Sequence, residues 1–137
     1  MKKLLIISLS IIGLFASCGK DKTTTTPPTE TTAQKIQHKW NFISGNDYFN
    51  HGTGTVDSTH YWIGVAGDYV EFKNNGIAYR KDGVYLDTIT YSILSDTKMT
   101  FDYDTFTITT LNANNLVFTY YETVTPPFFV QENVFTR

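Results

Sequence analysis

Asp102 and Asp104 stand one residue apart, with Asp96 close upstream. Paired carboxylates are the equipment of glycoside hydrolysis. In a strand, residues two apart share a face. The local alternation puts both on the outward phase with Thr100, where a solvated turn accounts for them more simply. His51, Asp57 and His60 are residues of metal-binding type. The two histidines are nine apart, which fits no helix or hairpin ligand spacing. Exposed loop histidines explain them better. Gly52-Thr53-Gly54 has the look of a phosphate loop, but no Lys and no helical pattern follow it. No Ser-His-Asp spacing emerges. The chain is therefore read as a non-enzyme, with no metal and no cofactor.

Binding chemistry is better supplied. Aromatics make up 15% of the 137 residues, and all except Phe15 lie beyond Ala33. On the inward phase fall Trp40, Phe42, Phe72, Tyr91, Phe101, Phe106, Phe118 and Tyr120. Such a set either lines an apolar pocket or fills a core. Short strands and large rings favour filling. The stretch Gly45 to Gly67 is long for a hairpin connection, Gly-rich, and carries Tyr48, Phe49, Tyr61 and Trp62. Long loops in compact domains are often lids or binding loops. A plainer reading of its second half is a strand from Ser58 to Ile63. The candidate ligand-binding residues are Tyr48, Phe49, Tyr61, Trp62, Phe72, Tyr91, Phe118 and Tyr120. Exposed Tyr69, Tyr121 and Phe128 are candidates for contact with another macromolecule.

The elements that position these residues are strands. Trp40 and Phe42, Val70 and Phe72, Ile89 to Ile93, Met99 to Tyr103, Phe106 and Ile108, and Leu116 to Tyr120 all alternate with polar neighbours. Phe128 to Thr136 is strand-like with an ambiguous phase. Turn signals separate the runs: Asn74-Asn75-Gly76, Lys81-Asp82-Gly83, Ser95-Asp96-Thr97, Asn112 to Asn115, and Thr125-Pro126-Pro127. Connections this short join antiparallel neighbours. Only Thr32 to Gln37 suits a helical turn. The fold class is all-β: an antiparallel up-and-down barrel of about eight short strands over residues 33–137. A β-sandwich is the runner-up.

Residues 1–17 form a secretory signal. Lys2 and Lys3 precede an apolar run from Leu4 to Phe15, then the small residues Ala16 and Ser17. Leu14-Phe15-Ala16-Ser17-Cys18 resembles the lipobox of bacterial lipoproteins. The resemblance implies cleavage before Cys18, lipidation of its thiol, and a firm anchor of several acyl chains. Cys18 is the chain's single cysteine. Gly19, rather than Asp, follows it, which by the same resemblance implies the outer membrane, at its periplasmic or cell-surface face. Residues 18–32 continue as a Thr- and Pro-rich tether with no residue able to build a core. Loss of residues 1–17 leaves 9 basic residues against 13 acidic, a net charge of −4. That balance excludes the basic surface of a nucleic-acid binder.

Three segments resemble the small lipocalin-like domains of bacterial lipoproteins: Ile36 to Trp40, Tyr69 to Gly76, and Phe106 to Phe118. His38 stands where lipocalins proper have Gly, and the chain has no room for their C-terminal helix. The resemblance implies a barrel whose floor is closed by Trp40 and whose interior takes a small apolar or amphipathic ligand. A monomer is expected. The alternative is a filled barrel that contacts a protein or a glycan through its surface.

Overall fold

The computed structural model describes residues 29–50, 56, 58–122 and 128–137. The signal segment 1–17, Cys18, most of the tether, Gly52-Thr53-Gly54, His51, Asp57 and Thr125-Pro126-Pro127 lie outside the described residues.

Among the described residues, one short helix, α1 (Thr32–Ile36), precedes nine strands. They are β1 (Lys39–Asn50), β2 (Ser58–Ile63), β3 (Tyr69–Phe72), β4 (Ile77–Asp82), β5 (Tyr85–Ser95), β6 (Lys98–Phe101), β7 (Asp104–Leu111), β8 (Asn115–Glu122) and β9 (Phe128–Thr136). Every pairing is antiparallel. β3 to β9 follow one another in order, and β1 pairs with both β3 and β9. These eight strands close a barrel, and β2 is an extra strand on β1. Closure leaves those eight without a free edge along the paired lengths.

Sequence chemistry explains the element ends. Thr31 caps α1: its side chain accepts from the Gln34 amide at 3.2 Å, and Gln34 Oε1 accepts from the Thr31 amide at 2.8 Å. Gly76 and Gly83 take positive φ at the β3–β4 and β4–β5 turns. α1 closes one end. Ile36 and Trp40 are fully buried there, and Trp40 Nε1 donates to the Ile36 carbonyl at 2.8 Å. The Arg137 guanidinium lies 5.7 Å from the Trp40 ring.

Rings fill the middle. Phe72, Phe101, Phe118 and Phe135 form a continuous column of ring contacts with centroids 5.1–5.8 Å apart, tilted except between Phe118 and Phe135, which stack. Phe106 joins it edge-on to Phe118 at 5.2 Å. Met99, Leu116, Val70 and Ala78 close the gaps.

Two sequence expectations are corrected. Asp102 and Asp104 do not share one strand: β6 stops at Phe101, and Asp102-Tyr103 is a two-residue turn opposite the paired Phe101 and Asp104. Asp102 adopts φ 60, which short polar side chains tolerate. Tyr103 is consequently exposed rather than inward. Asp96 sits at the far end of β6, where it accepts from the Thr32 hydroxyl at 2.9 Å. The second correction concerns Gly45 to Gly67. Much of it is not loop, because β1 runs on to Asn50 and pairs with β2 on one edge and β9 on the other.

Candidate functional site: a cleft at the open end

The open end owes its form to a break in one lane of the sheet. β2 pairs with Ser44–Phe49 of β1, and β3 pairs with Lys39–Asn41. Both lie along the same edge of β1, separated by residues 64–68. Asp68 secures that break. Its carboxylate accepts from the Val65 amide at 2.8 Å and from the Gly83 amide at 2.7 Å. The Gly83 bond, then the Val65 bond, holds the Asp68 carboxyl below its ordinary range. The Phe42 amide donates to the Asp68 carbonyl at 3.0 Å. Above the break, β2, β1, β9 and β8 continue as a curved sheet.

Cross-strand register sets the inner face of that sheet in rows. Phe49 faces Phe129, with centroids 5.1 Å apart. The next row reads His60, Asp47, Gln131, Tyr120 across four strands. Below it come Trp62, Gly45, Asn133 and Phe118. A polar row thus lies between aromatic ones.

A cleft of about 490 Å³ opens beside these rows. Phe101, Phe106 and Phe118 form its floor, and Trp62, Gln131 and Asn133 stand in its wall. Its rim carries Arg80, Lys81, Asp82, Asp102 and Asp104. Arg80 is held by Asp87 at 2.6 Å, and Lys81 reaches the Gly67 carbonyl at 3.4 Å. Asn133, half-buried and in register with Gly45 and Phe118, brings a side-chain amide to this wall. The floor rings are almost wholly covered, so a guest meets their edges rather than a deep apolar chamber.

Trp62 is placed by what Gly45 lacks. A Cβ on Gly45 would come within 2.1 Å of Trp62 Cζ2, so the indole lies directly over the glycine backbone. His60 stacks on it at 5.5 Å. Asp47 is the most stressed group nearby. Its Oδ1 is buried without a hydrogen-bond partner among the described residues, and His60 Nδ1 is 3.8 Å from Oδ2. Burial raises its pKa, while Gln131 and then His60 pull the other way.

The sequence candidates divide. Trp62 and Phe118 line the cleft, as do Phe42, Phe101 and Phe106. Phe72 and Tyr91 pack edge to face at 4.9 Å, deeper in the barrel. The Tyr91 hydroxyl donates to the Lys73 carbonyl at 2.5 Å, and burial raises its pKa. Tyr120 lies one row beyond the cleft and donates to Glu122 at 3.3 Å. Phe49 meets Phe129 near the rim. Tyr48 is half-buried and Tyr61 exposed on the outer face. Tyr69 lines the cleft, and Lys39 Nζ lies 3.9 Å from its ring centroid. Among the described residues no three His, Cys, Asp or Glu converge as metal ligands.

Sequence reading missed Asp47, Gln131 and Asn133. Both phases of β9 carry apolar residues: Phe128, Val130 and Val134 on one, Phe129 and Phe135 on the other. Only pairing with β1 decides that Gln131 and Asn133 face inward with Phe135.

No known protein family matches this chain, and no curated protein is similar to it.

Proposed function

We propose that this chain is a non-catalytic binding barrel, tethered to the outer membrane through a lipid on Cys18, that holds a small amphipathic ligand at its open end. The observation that carries the reading is the cleft of about 490 Å³, where an aromatic floor and Trp62 meet the amides of Gln131 and Asn133. That volume falls in the range of small-molecule sites. The apolar part of the ligand rests on Trp62 and the edges of Phe106 and Phe118. Its polar part meets Asn133, Gln131 and the charged rim. The tether rests on the lipobox-like Leu14 to Cys18.

A second reading draws support from the continuous ring column, which leaves the lower barrel full. In that reading the domain meets a protein or glycan through its surface and takes up no small molecule. Titration of the full-length chain with phenylnaphthylamine, read by energy transfer from tryptophan, separates the two. Saturable binding that weakens about tenfold in Trp62→Ala supports the cleft. Absence of saturable binding by the folded protein favours the second reading.

A further inference from the structure

We infer that two copies of this chain join through β2, edge to edge and antiparallel about a two-fold axis, in place of the monomer expected from the sequence. Among the described residues β2 is paired on one edge only, to β1. The Gly64 amide donates to the Ile43 carbonyl at 2.9 Å, which fixes the alternation of the ladder. His60 and Trp62 turn their backbone groups toward β1. Thr59, Tyr61 and Ile63 therefore turn their N–H and C=O groups to the free edge.

Proteins blunt such edges with charge, proline, bulges or a covering element. Ser58 to Ile63 has no acidic or basic residue other than His60, and no proline. Its register against β1 runs without a shift. Among the described residues no strand covers it.

A second copy fits this edge by symmetry. With the axis at Tyr61, Tyr61 meets the partner's Tyr61 and Thr59 meets the partner's Ile63. Each is then a pair that exchanges both of its hydrogen bonds, so every outward backbone group is satisfied. No like charges face each other across these pairs. Tyr61 is 58% and Ile63 69% exposed on the outer face, which supplies apolar area to bury against the same residues of the partner.

Sedimentation of the full-length chain in a mild detergent tests the inference. The native chain should sediment as a dimer. Tyr61→Pro removes an outward N–H without touching the β1 ladder, and Tyr61→Lys sets two like charges on the axis. Each should weaken association about tenfold or more while far-ultraviolet dichroism stays that of the native fold. If Tyr61→Pro fails to fold, Tyr61→Lys decides alone. A native monomer, or a dimer that persists in the folded Lys variant, would overturn the inference. The latter would place the contact elsewhere on the chain.

Discussion

Asp47 and Asp68 are two carboxylates of opposite thermodynamic sign. Burial raises the Asp47 pKa, so its folded state binds a proton more readily than its unfolded state. Its contribution to stability is full below the ordinary value of 3.8 and is lost as pH rises through the folded value. Asp47→Asn should thus stabilise the protein at pH 7, because the amide carries no charge to desolvate. The gain should vanish below pH 3.8. Urea unfolding at both pH values checks it, and equal gains at both would contradict the assignment. Asp68, held low by two backbone N–H groups, behaves in reverse. Its contribution is present above 3.8 and is lost as pH falls through the lowered folded value. Asp68→Asn should be less stable than the native chain at neutral pH, with the two converging in acid. Trp40→Ala should cost about 3–5 kcal/mol, since it empties the covered end and removes the bond to Ile36. Neither carboxylate role was legible in the sequence. Each depends on what a distant strand or turn brings against it.

Strands were far more legible than their lengths. Alternation located most of them, because one face of each meets the ring column and the other meets solvent. Gly45, Asn46, Asp47 and Asn50 read as loop because they are poor strand formers. Pairing on both edges, to β2 and β9, overrides that preference. Gly45 shows the reason for one of them, since a side chain there would collide with Trp62. Gly45→Ala should displace the indole and weaken phenylnaphthylamine binding several-fold, with little change in secondary structure by circular dichroism. Unchanged binding with an unmoved Trp62 emission would show that the ring does not depend on the gap. The Met99 to Tyr103 run departs from its alternation for a different reason. Tyr103 kept the aromatic alternation in step while the chain had already turned at Asp102.

At the scale of the molecule, a barrel closed by α1 and packed with rings keeps a cleft at its open end. The alternation predicted the barrel. Short strands and large rings favour a filled interior, and the rings do fill its middle. The cleft lies where the lane shared by β2 and β3 is interrupted, a feature set by pairing rather than by any local motif. We propose that cleft as the binding site. Asn133→Trp tests it most directly, because that half-buried residue stands in the cleft wall and outside the ring column. The measurement is the phenylnaphthylamine affinity of the full-length native chain against this variant, with thermal unfolding followed in parallel. Saturable binding to the native chain is expected, and about tenfold weaker binding once the cleft is plugged, at nearly unchanged stability. Equal affinity in a folded variant would contradict it.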